Sequence, residues 1–197
     1  MMGLSGIFAD KDFGMLPLSD IAVGLSRMNR FGGQTIIFPW TVAHHSLVVE
    51  LMASRLIESA REGSDVEVDG ELMLHALLHD AHEAMTSDIV TSFKTADMKD
   101  LQRVLDIRLY AMLGAPRMTA SQAAHIKAID QRALLAEARV VAPAATYWKI
   151  VEEVGRWAPQ EDIEIVREIL TDITEDIAQV YETHVKSALW VWGREIA

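Results

Sequence analysis

The segment Glu71-Leu-Met-Leu-His-Ala-Leu-Leu-His-Asp-Ala-His-Glu83 constrains this chain more than any other. Leu72, Leu74, Ala76, Leu77, Leu78 and Ala81 would cover a helix on nearly every side, and a helix apolar all round belongs in a core. The same stretch carries His75, His79, Asp80, His82 and Glu83. Burying a carboxylate is costly unless it is paired or holds a metal. A purely structural reading leaves these polar groups on a core helix unexplained.

Adjacent His79 and Asp80 diverge by about 100° on a helix, so they meet one ion only if other helices bring further ligands. Two other segments offer them. His45 lies in the stripe Val42, His45, Val49, Met52, Leu56 of a helix predicted from Thr41 to about Ala60. Asp130 lies among Ile126, Ala133 and Leu134 on a later helix. Periodicity does not separate His45 from its neighbour His44 as the contributor. Glu83 follows His79 by one helical turn and can reach a water near such an ion, as ligand or as base. Mixed nitrogen and oxygen donors suit zinc, cobalt, manganese, iron or nickel, and spacing does not choose among them.

The rest of the chain reads as helical. Ser19 is a candidate cap for a helix to about Met28, broken by Asn29-Arg30-Phe31-Gly32-Gly33. Residues Gln34 to Trp40 read as an extended connection, and Met1 to Pro17 as irregular with a short strand pair. Arg61 to Val68 reads as a loop, and Asp69 as the cap of a helix from Glu71 to about Ala84. Further helices are expected over Ser92–Leu113, from the capping box Thr119/Gln122 to before Pro143, and around Tyr147–Val154. A last long helix is expected after Pro159, over 160–192, with the stripe Ile163, Val166, Leu170, Ile173, Ile177, Val180, His184. Nothing alternates strand with helix, so the class is all-α: a compact single-domain bundle over 1–197.

Half of the 197 residues are hydrophobic, enough for one sizeable core. The net charge of −11 argues against a nucleic-acid polymer as partner, which would leave a basic footprint. It leaves room for a small phosphorylated ligand, because a divalent cation and a few local Lys or Arg residues reverse the potential inside one cleft. With no cysteine, disulfides, zinc-thiolate sites and cysteine nucleophiles are excluded. The N-terminus does not read as a secretory signal and no apolar run is long enough to span a bilayer, so a cytoplasmic location is expected.

The order His45, His79-Asp80, Asp130 resembles the H…HD…D signature of the HD-domain phosphohydrolase superfamily. Ala43-His-His-Ser-Leu47 and Ala76-Leu-Leu-His-Asp-Ala-His-Glu83 resemble the first two blocks of its bacterial 5'-deoxynucleotidase branch, and related phage dATP triphosphohydrolases look similar over the same region. The resemblance covers about Leu18 to Val140. It implies an HD-type helical fold with His45, His79, Asp80 and Asp130 as ligands of one divalent transition metal. His45 before Ser46 matches the branch's ligand position, while His44 stands where the branch has an acidic residue.

The same resemblance implies that Glu83 is the catalytic carboxylate and that Arg30-Phe31 stands for an Arg-Trp pair contacting the nucleotide. It implies that Asp88 contacts the sugar and Lys94 the phosphate, although Ile89-Val-Thr-Ser-Phe-Lys94 departs from a proline-rich pattern. The implied reaction is attack of a metal-activated water on a nucleotide phosphate. It would be a deoxynucleoside monophosphate 5'-nucleotidase or a deoxynucleoside triphosphate hydrolase. A phosphodiesterase and a non-catalytic nucleotide or metal sensor are the alternatives.

Blander readings stand beside these. Glu83 could orient a histidine, Asp88 could cap a helix, Lys94 could be a solvated helix charge and Arg30 a surface turn residue. His82 caps the cleft or faces solvent, and a second metal joined by His125 is disfavoured. The tail with Tyr181, His184, Trp190 and Trp192 is either a homodimer surface, towards which the resemblance leans, or ordinary core.

Overall fold

The structure is a computed structural model that describes residues 16–36, 39–61, 71–89, 93–172 and 176–191. The architecture is all-α. The helices are α1 (Leu18–Arg27), α2 (Val42–Arg61), α3 (Leu72–Leu78), α4 (Glu83–Thr86), α5 (Ala96–Met112), α6 (Ala120–Val141), α7 (Ala144–Val154), α8 (Gln160–Asp172) and α9 (Ile177–Val191). A 3₁₀ turn covers Phe31–Gly33. Among the described residues the only β-pairing is an isolated antiparallel bridge between Asn29 and Thr41, which closes the connection from α1 to α2. No helix among them is long and apolar enough to cross a membrane.

Helix α2 is the axis of the fold. It packs against α1, α3, α6, α8 and α9. Its first half is buried on every side, including His44, His45, Ser46 and Glu50. Two apolar cores flank it. One joins Leu25, Leu47, Leu77, Leu109 and Tyr181, and the other joins Trp40, Val49, Leu72, Ile126 and Val166. The predicted core helix is as apolar as its sequence implies: Leu72, Leu74, Ala76, Leu77, Leu78 and Ala81 are all fully buried.

The structure corrects several boundaries. Ser19 lies inside α1, whose N-cap is Pro17, and no side chain caps it. The helix predicted over Glu71 to Ala84 breaks at His79–His82. Here Ala81, Glu83 and Ala84 donate their N–H groups to the carbonyls three residues back, at 3.1, 2.9 and 3.3 Å. This tighter turn rotates successive side chains differently from an α-helix. Helix α5 starts at Ala96, capped by the Thr95 hydroxyl, which accepts from the Met98 N–H. Helix α7 starts three residues earlier than predicted, directly after Pro143. The capping box Thr119/Gln122 is formed in full.

The last long helix is two helices. The Asp176 carboxylate accepts from the Ala178 N–H at 3.0 Å, so α9 has its own N-cap. The new start resets the register. The buried line of α9 is Ala178, Tyr181, Val185, Leu189 rather than Ile177, Val180, His184. Tyr181 is core, its hydroxyl donating to the Leu77 carbonyl at 2.9 Å, while Trp190 is exposed. The readings made for residues 1–15, the 62–68 loop, the Asp69 cap, Ser92, Ile173 and Trp192 fall outside the described residues.

One glycine sets how α1 meets the functional region. A Cβ placed on Gly24 would sit 3.0 Å from the Ala84 Cβ, on the short helix that begins with Glu83. Gly24→Val is therefore expected to overpack this contact and destabilise the protein by about 1–3 kcal/mol, read by chemical denaturation. Gly24→Ala is expected to cost less, and equal stability of both variants with the wild type would show that α1 does not fix α4.

Candidate metal centre

The turn between α3 and α4 carries His79 and Asp80, α2 carries His45, and α6 carries Asp130. Their donor atoms converge. His45 Nε2 lies 3.2 Å from His79 Nε2, 3.1 Å from Asp130 Oδ1 and 3.6 Å from Asp80 Oδ2. His79 Nε2 lies 3.1 Å from Asp80 Oδ2. The two carboxylates remain partly exposed, so the cluster opens to solvent on their side.

Hydrogen bonds behind the rings fix which nitrogen faces the cluster. His79 Nδ1 donates to the Ala76 carbonyl at 2.7 Å, and His45 Nδ1 donates to the Glu137 carboxylate at 2.8 Å. Both imidazoles, when neutral, therefore turn a bare Nε2 lone pair inward. Two lone pairs 3.2 Å apart repel unless a cation lies between or beside them. The donor set thus fits a divalent cation: two nitrogens with assigned tautomers and two carboxylates whose charge balances it.

Electrostatics agree. Burial and the Arg30 charge lower His45, but Glu137 and Asp130 outweigh them and push it up to about 10. Burial lowers His79 too, but the Asp80 charge more than offsets it, so His79 is also raised. Burial raises Asp80 and Asp130, yet the imidazoles hold both below the usual carboxylate range. Without a cation, protons supply the positive charge that this cluster demands.

His44 is resolved from His45. Its Nδ1 accepts from the Thr41 N–H at 3.2 Å and lies 2.7 Å from the Thr41 hydroxyl, while its ring stacks on Trp40. Burial lowers its pKa to about 4, so it is neutral. His75 is buried against Tyr110, with its Nδ1 3.3 Å from the phenol oxygen. His125 is half-buried and joins neither group of converging ligand atoms found among the described residues.

Glu83 is buried at the mouth of the cluster. Its Oε1 lies 3.5 Å from the Lys94 ammonium, and its Oε2 is buried without a hydrogen-bond partner. Burial and the negative charges of Asp80 and Asp88 push its pKa up to about 7. Lys94 is not on a helix, as the solvated-charge reading required; it precedes the Thr95 cap and is mostly buried. Asp88 does not cap the following helix, because Thr95 does. It is half-buried, and its charge acts on both Glu83 and Arg30.

Arg30 is not a surface turn residue. It is buried, donates from Nε to Glu137 Oε2 at 3.1 Å, and feels the charges of Asp88, Asp80 and Asp130. Phe31 packs beside it, the guanidinium carbon 5.7 Å from the ring centre. Phe31 and Ser87 are the non-glycine residues of positive φ among the described residues, at 54° and 69°. Both are next to predicted substrate contacts, Arg30 and Asp88, and strain of this kind gathers at functional sites.

The sequence reading missed Glu137. This fully buried carboxylate bridges His45 and Arg30, with one oxygen on each. Burial would raise its pKa, but His45 and Arg30 hold it below the usual value. A signal was present: Glu137 follows Asp130 by two helical turns, on the same face, flanked by Ala136 and Ala138.

Comparison with known proteins bears on the same region. Residues 20–112 match the family model described as 5'-deoxynucleotidase YfbR-like. An uncharacterized protein of Rhodobacter capsulatus is 33% identical over 132 residues, covering 64% of this chain and 63% of the relative's own length. The chain thus spans under two thirds of that relative. The resemblance read from the sequence is shown over residues 20–112: this region, which carries Arg30, His45, His79, Asp80 and Glu83, is similar to the YfbR-like 5'-deoxynucleotidases.

Proposed function

We propose that this chain is a metal-dependent phosphohydrolase acting on small nucleotides, with His45, His79, Asp80 and Asp130 holding one divalent transition metal. The observation that carries this reading is the pair of inward-facing Nε2 atoms, 3.2 Å apart and flanked by two carboxylates. The similarity to a 5'-deoxynucleotidase family supports the nucleotide class. A deoxynucleoside monophosphate is the preferred substrate, releasing inorganic phosphate; a triphosphate cleaved to nucleoside and triphosphate is the second reading, favoured by related phage proteins only.

When bound, the cation acts as a Lewis acid on a phosphate oxygen and makes water more acidic. The chain's own residues do the rest. Glu83 orients the attacking water and takes its proton, for which the unpartnered Oε2 is placed. Lys94 and Arg30 place positive charge where the phosphate arrives, and Arg30 is aimed by its bond to Glu137. Phe31 offers an aromatic face beside Arg30 for the nucleoside, and Asp88 an acceptor for the sugar. In this reading residues 1–197 act as one HD-type unit in the cytoplasm, with a second copy as its only expected protein partner.

The deciding experiment is a panel of deoxy- and ribonucleoside mono- and triphosphates and cyclic nucleotides, each with cobalt, manganese and zinc, measuring phosphate release, triphosphate release and ring opening. Activity on none of them, with the metal bound, would sink the reading. Turnover of a cyclic nucleotide instead would move the assignment to a phosphodiesterase.

Glu83 carries a separate expectation. Glu83→Gln should keep the cation held by His45, His79, Asp80 and Asp130 while kcat falls by about 10²–10⁴-fold, the usual contribution of a positioned base. Glu83 works only as the carboxylate, so kcat should drop as pH falls through an acidic limb no higher than about 7. A bound cation favours the charged form and moves that limb lower. Glu83→Gln should abolish the limb; full activity in this variant removes Glu83 from the reaction.

A further inference from the structure

We propose that Asp80, His82 and Glu83 form a second, inhibitory site for a divalent cation beside the first; the proposal rests on the reading of His45, His79, Asp80 and Asp130 as the first cage. One ligand atom from each of these three residues lies within 4.8 Å of the other two. The group includes a histidine as well as carboxylates, and it is buried: His82 and Glu83 are 6% and 2% exposed.

Two of its atoms lack any partner. Glu83 Oε2 and His82 Nε2 are both buried without a hydrogen bond. Leaving one such atom unsatisfied in the interior is costly, so two in adjacent residues call for a ligand. The His82 ring is also held in the manner of a metal ligand. Its Nδ1 lies 2.9 Å from Asp106 Oδ1, which assigns the proton to Nδ1 and leaves Nε2 as a bare lone pair. Sequence reading gave His82 no role beyond the cleft edge, and the phosphohydrolase reaction uses neither His82 nor Asp106.

The charge balance admits a cation. Asp80, Glu83, Asp88 and Asp106 surround the group, against the Lys94 ammonium at 3.5 Å from Glu83 Oε1 and the Arg30 charge that acts on Asp80 and Glu83. The ammonium lies on the oxygen that the second cation does not need. Asp80, whose Oδ2 lies 3.1 Å from His79 Nε2, is also a ligand of the first cage as proposed, so the two sites adjoin through this carboxylate. Filling the second site takes Glu83 Oε2, the atom that the reaction leaves open to water. The second equivalent therefore suppresses turnover that the first one supports. A small cation that accepts nitrogen, such as manganese, cobalt or zinc, suits the site better than calcium, which takes oxygen ligands.

The test uses the full chain, stripped of metal and dialysed against increasing Mn²⁺, with bound metal counted per chain and followed by electron paramagnetic resonance. Two equivalents are expected, the second weaker and spin-coupled to the first, with turnover rising on the first and falling on the second. His82→Gln removes the imidazole and should raise the second dissociation constant by about 10-fold or more. Asp106→Asn, which disturbs only the ring's support, should give a smaller rise in the same constant. Circular dichroism confirms that each variant is folded, and Glu83→Gln serves in place of a variant that is not. Binding that stops at one equivalent, a second equivalent unchanged in His82→Gln, or turnover that rises with the second equivalent overturns the proposal. No binding at all, or binding indifferent to His45→Ala, overturns the first cage instead.

Discussion

Asp80→Ala is expected to abolish high-affinity metal binding and to reduce turnover to background while leaving the chain folded. Asp80 sits against both imidazoles of the proposed cage. Its Oδ2 is 3.1 Å from His79 Nε2 and 3.6 Å from His45 Nε2, so it closes the side of the cluster nearest both imidazoles. Burial works against its charge, yet His79, His45 and Arg30 hold it well below the usual carboxylate range. Removing it halves the negative charge that balances a divalent ion and leaves two nitrogens facing one carboxylate. Folding should survive, because the leucines around it, not the carboxylate, make the core, and its side chain is one-fifth exposed.

The size of the effect is readable without a substrate. A ligand at 100 times its dissociation constant stabilises the folded state by about 2.7 kcal/mol. In a chain of this size each kcal/mol moves Tm by about 2–4 °C. The wild type should therefore melt about 5–10 °C higher in saturating cobalt or manganese than in chelator. Asp80→Ala should melt at one temperature in both. A metal-dependent rise that persists in Asp80→Ala would place the cation elsewhere in the molecule.

What could be read in advance divides along physical lines. The core helix was legible because its leucines cover every side while its polar residues stay, and burial forces a reason for them. Asp130 and His45 were legible for the same cause, as lone polar groups on apolar stripes. The break of that helix at His79–His82 was not, because Leu78 and Ala81 continue a helical hydrophobic pattern through a turn whose hydrogen bonds run three residues back. The division of the C-terminal stretch was hidden likewise, since Ile163 to His184 keeps helical spacing and the Asp176 cap is one weak signal inside it. Arg30 and Lys94 looked solvated, as such residues usually are; only tertiary contacts with Glu137 and Glu83 bury them.

Glu137 escaped for a related reason, and its replacement is the second large effect expected. Glu137→Ala should destabilise the protein by about 3–5 kcal/mol, because it strips the partner from a buried guanidinium and from the His45 ring together. Arg30 cannot shed its proton, so its charge would stay buried with only the charges of Asp88, Asp80 and Asp130 to balance it. Glu137→Gln keeps the shape and an acceptor oxygen but not the charge, and should cost less. Both variants loosen the tautomer of His45, so metal affinity should fall by about 10–100-fold, as it does when a carboxylate behind a ligating histidine is lost.

Acid distinguishes this role from simple packing. The folded pKa of Glu137 is held below its ordinary value, so its contribution is complete above about 4.5 and is lost as pH falls through the lower folded value. The stability gap between wild type and Glu137→Gln should accordingly narrow as pH falls through that range. Denaturation of both proteins in chelator across acidic pH measures the gap directly. A gap independent of pH would mean that the carboxylate's charge is irrelevant and only its volume matters. A narrowing gap, with weaker metal binding in the same variant, would tie the proposed cation cage and Arg30 to one buried anion.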